Sequence, residues 1–414
     1  MPLIPRRAIL QTAALIPPAL CFGAGARAQP TRDVIRIGVL GDQSGLLRDI
    51  SGPLALACVQ QAAAEAMAAN PGLQVEVVSG DHQNKPDVGL GIARAWIDER
   101  GVDAIVDVPN SAVALAVAEL CREKDRVLIT SPAASTDLTG RACAPTTVHW
   151  TFDTWMLARS TGGEMVRSGG DTWFFLTADY TFGHTLERET AGFVRAAGGQ
   201  VLGSVRHPLD TSDFSSFLLQ AQASGAKVIG LCNAGGDTIN AVKQAAEFGI
   251  AKGGTRLAGM LVYVSDVHAL GLPQAAGLVV TETFYWDLDD RTRAFSARLR
   301  ARAGEARAGM GQAGCYAGTL HYLKAASSMG VAEAKRSGGS TVARMKAIPT
   351  DDDAFGPGSI RPDGRALHPV HLFQVKTPAE SRDPWDCYRL LATTPADQGF
   401  RPLAEGGCPL VSPT

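Results

Sequence analysis

Residues 101–140 read GVDAIVDVPNSAVALAVAELCREKDRVLITSPAASTDLTG and contain two junctions where a strand pattern passes directly into a helix or turn pattern. At the first junction, the apolar run DAIVDV ends at Asn110 and Ser111, and the residues that follow have the spacing of an amphipathic helix. This strand, helix and second strand predict a βαβ unit with parallel strands.

The second junction follows VLIT and contains Ala133, Ala134 and Ser135. Parallel strands of an open α/β sheet end at the edge where ligands bind. Hydroxyl groups and free backbone N–H groups at such an edge can bind a carboxylate. Ser111 and Ser135 can equally well serve only to cap a helix or start a turn, and the residues alone leave both interpretations open.

The length and composition indicate a globular protein with two lobes. A chain of 414 residues is too long for one ordinary hydrophobic core. Charged residues make up 19% and the formal net charge is −2, which disfavours nucleic acid and anionic membranes as partners.

The first 28 residues have the pattern of a secretory signal peptide. Arg6 and Arg7 precede an apolar run, and Ala-Arg-Ala ends at Ala28, which predicts cleavage there and a mature chain beginning at Gln29. The paired arginines also allow twin-arginine export, but ordinary secretion is the commoner explanation. We therefore expect an exported, periplasmic protein.

Seven cysteines remain after this segment, so at least one is unpaired. Cys143 and Cys408 lie in loops rich in Gly and Pro, and we expect them to form a disulfide in an oxidising compartment. Four others lie in apolar-periodic segments and are expected to be buried thiols: Cys58, Cys121, Cys232 and Cys315.

Further junctions of the same design supply more candidate ligand contacts. Leu46 follows the first strand pattern, Tyr180 lies on the turn after TWFFLTAD, and Asp237 lies in the NAGGDT turn. Each also has an ordinary structural role open to it, because Leu46 and Tyr180 can be loop-packing residues and Asp237 can be a helix N-cap.

Several segments, taken in their order and spacing, resemble the leucine/isoleucine/valine-type periplasmic solute-binding proteins of ABC transporters. They read IRIGVLGDQSG, SPAASTDLT, HWTFDTW, TADYTFGH, NAGGDT and GSIRPDGRALHPVHLFQVK. The resemblance implies an α/β fold of two doubly wound parallel-sheet lobes joined by a three-crossing hinge, the type I periplasmic-binding-protein architecture. It implies lobe 1 at residues 29–151 and 284–356, and lobe 2, with a C-terminal tail, at 152–283 and 357–414.

The resemblance also implies a ligand site in the cleft between the lobes. We expect ligand contacts from Asn110 and Ser111 at the first junction and from Ala133, Ala134 and Ser135 at the second. Of these, Ser111, Ala133 and Ser135 match the positions that hold the ligand's carboxylate in the family.

The sequence departs from the family pattern where amino-acid binders hold the ligand's ammonium group. An acidic residue is expected after the strand that here reads RLAGMLVYV, where this chain has Tyr263, and an aromatic residue is expected near Asp237. In one hypothesis Asp237 binds the ammonium of an amino acid. In the other Asp237 only caps its helix, and Tyr180, Tyr263 and Leu46 surround an aromatic or aliphatic acid or amide. The family as a whole favours the amino acid.

The catalytic alternative has little support in the sequence. G-x-S-x-G, H-E-x-x-H and P-loop motifs do not occur, and His184, a possible general base, has no recognisable nucleophile. We expect no catalytic residue, metal or cofactor. The predicted function is that of a monomeric solute-binding component of an ABC importer, whose partners are a small carboxylate ligand and a membrane permease. A ligand-sensing receptor subunit and an exported hydrolase are the alternatives.

Overall fold

The computed structural model describes residues 34–250 and 254–411. The predicted signal peptide, residues 1–28, lies outside these residues. Within the described residues, no helix combines the length and the apolar character that crossing a membrane requires.

The first sheet has five parallel strands in the order β2-β1-β3-β4-β5. Its elements are β1 (Val34–Gly41), α1 (Gly52–Ala69), β2 (Gln74–Asp81), α2 (Pro86–Arg100), β3 (Ala104–Asp107), α3 (Ser111–Glu123), β4 (Val127–Thr130) and β5 (Thr147–His149). The central strands β3 and β4 are entirely buried, as their continuous apolar sequences predict for strands with helices on both faces.

The second sheet has four parallel strands in the order β7-β6-β8-β9. Its elements are α4 (Thr154–Leu157), α5 (Gly163–Arg167), β6 (Thr172–Ala178), α6 (Thr181–Ala196), β7 (Gln200–His207), α7 (Ser215–Ala223), β8 (Val228–Cys232), α8 (Gly236–Glu247), β9 (Arg256–Gly259), α9 (Val264–Leu270) and α10 (Leu272–Ala275).

The rest of the chain adds helices to the first sheet and an antiparallel sheet beside the second. The elements are β10 (Val279–Glu282), α11 (Asp290–Ala303), α12 (Met310–Met329), α13 (Val331–Arg336), α14 (Gly338–Ala347), β11 (Ser359–Ile360), β12 (Ala366–Leu367), β13 (Val370–Val375), β14 (Tyr388–Thr394) and α15 (Ala396–Gly399). The antiparallel sheet, in the order β10-β13-β14, is not part of the expected parallel architecture.

The chain passes between the two sheets three times, after β5, after β10 and after α14. Helix α12 packs on α1, β3 and β4, so residues from late in the chain complete the first sheet's core. Gly318 allows this close approach, since a side chain there would lie 2.6 Å from Ile129. We call the first sheet with α1–α3 and α11–α14 the first half, and the second sheet with α4–α10 and the antiparallel sheet the second half.

A disulfide joins Cys143 and Cys408, the pair that the sequence predicted, with 5.6 Å between their Cα atoms. The tail that carries Cys408 also contacts the loop before Cys143, because Arg401 donates a hydrogen bond to the Thr136 carbonyl at 3.0 Å. Among the residues that the structure describes, five cysteines are free and buried: Cys58, Cys121, Cys232, Cys315 and Cys387.

One strand prediction is too long. The segment RLAGMLVYV was expected to form a strand throughout, but β9 ends at Gly259. A side chain at Gly259 would lie 2.5 Å from Val262, so the chain turns tightly there. Tyr263 then becomes the residue that precedes α9, with its backbone N–H donated to Asp266 at 2.9 Å. This turn places Tyr263 at the edge of the second sheet and not within a strand.

Candidate ligand-binding site

The first junction is built around the N-terminus of α3. Asn110 is the N-cap residue, and its Oδ1 accepts hydrogen bonds from the backbone N–H groups of Ala112 at 3.0 Å and Val113 at 3.3 Å. Asn110 therefore has a structural role, which leaves its predicted ligand contact to the side-chain Nδ2 group.

Ser111 links the two predicted junctions directly. Its Oγ accepts the backbone N–H of Ala134 at 3.3 Å, and the Ala134 carbonyl accepts the N–H of Thr154 at 2.8 Å. Ser135 caps a 3-10 turn, because its Oγ accepts the N–H of Asp137 at 3.3 Å. A hydroxyl that accepts one hydrogen bond still has its own O–H to donate, so both serines remain able to bind an anion.

A buried network that sequence reasoning missed holds the loop of Ala133, Ala134 and Ser135 in place. His149 Nε2 bonds to the carbonyl of Ala133, and His149 Nδ1 bonds to the guanidinium of Arg365. Arg365 is fully buried and forms an ion pair with Asp153 at 3.3 Å. Burial first, and then the Arg365 charge, hold the pKa of His149 well below its usual value, so the neutral ring donates to the Ala133 carbonyl.

A second missed network positions the loop after β1. Asp42 is buried and accepts the backbone N–H groups of Gly45 at 2.7 Å and Leu47 at 2.8 Å. The Asn84 amide also donates to Asp42 and lies 3.5 Å from the Asn110 amide. Asp42 directly follows the last residue of β1, and this polar strand end was the available sequence signal.

Leu46, on this loop, reaches the second half of the molecule. Its carbonyl accepts the backbone N–H of Gly236 at 3.4 Å, at the first residue of α8. Thr136 makes a second contact between the halves by donating to Glu189 on α6 at 3.1 Å. The two strand-end edges therefore face each other across a cleft that is shut in this structure.

Asp237 does not cap its helix, so that part of the sequence analysis is wrong. The N-cap of α8 is Gly235, whose φ of 57° lies in the left-handed region, and Asp237 lies within the first turn. Its Oδ1 accepts the backbone N–H of Thr211 at 2.8 Å, while its buried Oδ2 has no hydrogen-bond partner among the described residues. Burial, and to a lesser extent the charge of Asp210, raises the pKa of Asp237 to about 7.

Tyr180 lies beside Asp237 on the same face of the second half. It immediately precedes α6, and its ring contacts that of Phe182, with the centroids 5.8 Å apart. Burial raises the pKa of the Tyr180 hydroxyl, and the negative charge of Asp237 raises it further.

Tyr263 is fully buried and reaches toward the hinge. Its ring meets Phe152 edge to face at 5.8 Å and packs against Gly309, the residue before α12. Its hydroxyl has no hydrogen-bond partner in the described part of the chain. Burial raises its pKa, as do the charges of neighbouring carboxyls and Tyr180.

Three buried carboxyls near Tyr263 were also missed from the sequence. Asp107 accepts from the Ser51 hydroxyl, and burial raises its pKa to about 8. Asp266 is fully buried, and desolvation raises its pKa to about 7. Glu282 is also fully buried, and desolvation raises its pKa well above the usual value. Asp107 is the last residue of β3, the strand-end position at which ligands bind in parallel α/β sheets, whereas Glu282 is the last residue of β10 in the antiparallel sheet.

The structure thus groups the predicted residues on two facing edges. Five lie together on the first half: Asn110, Ser111, Ala133, Ala134 and Ser135. Tyr180, Asp237 and Tyr263 lie on the second half, and Leu46 crosses between them. This set offers hydroxyls, amides, carboxyls and aromatic rings, which suits reversible binding.

Features that would favour catalysis are few. Over residues 34–250 and 254–411, no group of three His, Cys, Asp or Glu side chains is arranged to hold a metal ion. His184 is partly exposed and bonds to Asp179 at 2.8 Å, so its ring is directed to a carboxylate and not to a hydroxyl or thiol.

Comparisons with known proteins concern the family and the fold of this chain. A family model described as periplasmic binding protein matches residues 34–382. The chain is 26% identical over 361 residues to the Leu/Ile/Val-binding protein homolog 6 of Brucella melitensis, covering 84% of this chain and 89% of the relative.

Solved structures show the same fold. A periplasmic binding protein from Burkholderia mallei is 44% identical, with a TM-score of 0.87 over 92% of this chain and 100% of that one. A branched chain amino acid ABC transporter periplasmic ligand-binding protein from Burkholderia xenovorans LB400 is 36% identical, with a TM-score of 0.79 over 91% and 99%. A solute binding protein from R. palustris, solved with 4-hydroxybenzoate, is 23% identical, with a TM-score of 0.77 over 89% and 99%.

Proposed function

Because this chain belongs to the periplasmic binding protein family and is the solute-binding protein of an ABC transporter, we propose that it captures a small carboxylate-bearing solute, a branched-chain or related amino acid. The predicted α/β architecture of the type I periplasmic binding proteins is confirmed. The family and its solved relatives are transport proteins and not enzymes.

The observation that carries the proposal is the position of Ser111 and Ser135 in the loops that follow β3 and β4, two adjacent parallel strands. Both hydroxyls are buried, and they belong to loops joined by the hydrogen bond from Ala134 to Ser111. A carboxylate placed between them would receive O–H donors in a desolvated site, where charge-assisted hydrogen bonds are strong. This arrangement supports binding of the ligand's carboxylate at the first half.

The environment of Asp237 favours a ligand that has an amino group at the end opposite its carboxylate. A buried carboxylate oxygen without a partner is costly, and an ammonium group would relieve that cost by pairing with it. Helix capping does not explain the orientation of the Asp237 side chain, because Gly235 is the N-cap residue of α8. This favours the amino-acid hypothesis over one in which the residue is purely structural.

The second candidate ligand class is an aromatic or aliphatic acid or amide. Tyr180, Tyr263 and Leu46 would surround its body in the cleft, in line with the 4-hydroxybenzoate bound by the R. palustris protein. In that case Asp237 would accept a hydrogen bond from a hydroxyl or amide group.

We propose further that the two halves are lobes that hinge shut on the ligand, with the boundaries given by the sequence analysis. The protein would act as a monomer, deliver its solute to a membrane permease, and begin at Gln29 after export. The family implies a periplasmic location. Mass spectrometry of the exported protein would decide the cleavage site.

A thermal-shift screen tests the function. The panel contains L-amino acids, their amides, and benzoates, each at concentrations well above a micromolar Kd. A ligand that binds only the folded protein at 100 times its Kd raises the free energy of unfolding by about 2.7 kcal/mol. We expect an amino acid to give the largest shift and to be recovered unchanged. A panel without any shift, or turnover of the ligand, would contradict the proposal.

A further inference from the structure

We infer that Arg365, on the third crossing between the halves, is a positioning residue for the ligand's carboxylate. It acts through His149 on residues 133–135, which we call the carboxylate loop, and not by contact with the ligand. The inference rests on the proposed function, because it takes this loop and Ser111 as the carboxylate site.

The third crossing lies directly against the last strand of the first sheet. The backbone N–H of His149, the last residue of β5, donates to the carbonyl of Gly364 at 2.9 Å, and His149 and Arg365 form a parallel bridge. Gly364 permits this approach, since its φ is 87° and a side chain there would collide with the carbonyl oxygen of Thr147. The backbone of Arg365 is therefore fixed beside His149.

The guanidinium of Arg365 is held on several sides. It is fully buried, donates to the carbonyl of Thr151 at 2.8 Å and lies 3.3 Å from the carboxylate of Asp153, both on the first crossing. The ring of Phe400 packs against it, with 4.9 Å between the guanidinium carbon and the ring centroid. So held, the guanidinium directs an N–H group at Nδ1 of His149.

This contact decides which nitrogen of His149 carries the proton. A guanidinium can only donate, so Nδ1 has to accept and holds no proton. The ring is neutral, since a second proton would place two buried cations in contact. Nε2 then carries the one ring proton and donates it to the Ala133 carbonyl at 2.5 Å. Without Arg365 the ring could carry its proton on Nδ1 and present a lone pair to that carbonyl.

The bond from His149 sets the orientation of the carboxylate loop. In a trans peptide the N–H points away from the carbonyl, so with the Ala133 carbonyl held by His149 the N–H of Ala134 faces the other side. That N–H donates to the Oγ of Ser111 at 3.3 Å, which leaves the Ser111 O–H to donate to an anion. Rotation of this peptide would remove the bond that orients the Ser111 hydroxyl.

The test uses two probes that differ at the carboxylate end. L-leucine carries the carboxylate and L-leucinamide has a neutral amide in its place, so the ratio of their affinities in isothermal titration measures carboxylate recognition. Arg365→Met removes the donor to His149, and His149→Phe removes the bond to Ala133 but leaves the ion pair of Arg365 with Asp153. We expect the ratio to fall by at least about tenfold in each variant, because misplaced donors bind a desolvated carboxylate weakly. An unchanged ratio in both variants would overturn the inference and leave the proposed function intact.

A control separates positioning from a general loss of stability. Lys376→Met breaks the ion pair with the buried Asp386 in the second half and should leave the ratio unchanged. A fall of the ratio in this control as well, or a fall confined to His149→Phe, would overturn the role of Arg365. If Arg365→Met fails to fold, the double variant Asp153→Asn/Arg365→Met, which leaves no charge of this pair unpaired, takes its place. Equal binding of the two probes by the unmodified protein, or binding of neither, would overturn the proposed function, on which the inference depends.

Discussion

We expect the protonation of Asp237 to determine how ligand affinity depends on pH. Burial raises its pKa to about 7, above the usual value of 3.8, so the carboxyl is protonated below pH 7 and ionised above it. Only the ionised form can pair with an ammonium group. We therefore expect amino-acid affinity to increase as the pH rises from 5.5 to 7.5, by up to about tenfold per unit, and to level off above pH 8.

The variant Asp237→Asn separates this residue from the other buried carboxyls. The Asp237→Asn protein should bind an amino acid weakly and with an affinity that hardly changes with pH, because the carboxyl that takes up the proton is gone. Asp107 and Asp266 remain in the variant, so a pH dependence that survives would assign the effect to them. Titration calorimetry between pH 5.5 and 8.5 makes the comparison.

Ser111 and Ser135 should contribute similarly to carboxylate binding. Each alanine substitution removes one hydroxyl donor from a desolvated anion, and we expect a loss of roughly 1 to 3 kcal/mol of binding free energy. Ser337→Ala is a matched control, since Ser337 caps α14 through the N–H of Ser340 and lies outside the cleft. Unchanged affinity in both Ser111→Ala and Ser135→Ala would remove these residues from the site.

At the scale of elements, the contact between the loop after β1 and the start of α8 should control closure. Gly235 has a φ of 57°, and a side chain there would lie 2.5 Å from the carbonyl oxygen of Leu46. Gly236 is adjacent, but its side chain would meet only the flexible Leu46 Cδ1 atom at 3.1 Å. We expect Gly235→Ala to weaken ligand binding by at least about tenfold and Gly236→Ala to have little effect.

Gly277→Ala controls for backbone strain in this experiment. Its φ of 83° is also in the left-handed region, but no atom lies within 4 Å of the added side chain. A loss of stability shared by Gly235→Ala and Gly277→Ala reports strain, whereas a loss of affinity confined to Gly235→Ala reports obstructed closure. Equal affinities in all three variants would contradict the closure role.

At the scale of the whole molecule, the disulfide should stabilise the fold by fixing the C-terminal tail. Cys143 and Cys408 are 265 residues apart in sequence, and closing so long a loop restricts the unfolded chain. The double variant Cys143→Ser/Cys408→Ser should lose roughly 2 to 5 kcal/mol in free energy of unfolding, measured by denaturant titration. A smaller loss would mean that the tail detaches before the rest unfolds.

The sequence by itself determined the alternation of strands and helices and the positions of the strand ends. Each depends on interactions within a few residues, such as the period of apolar side chains or the cap that Asn110 forms with Ala112. Because strand ends can be located from local patterns, the loops that carry Ser111, Ser135, Tyr180 and Asp237 could each be assigned to the edge of a sheet. Their roles as ligand contacts remain predictions.

Only the tertiary structure decided what meets across the cleft and at the hinge. The strand predicted for RLAGMLVYV was too long, because the tight turn at Gly259 depends on packing against Val262 and not on a turn motif. Glu282 comes beside the start of α9 only after the chain has folded back through β10. Contacts of this kind join residues far apart in sequence, so their partners are set by how the two halves pack and not by any local pattern.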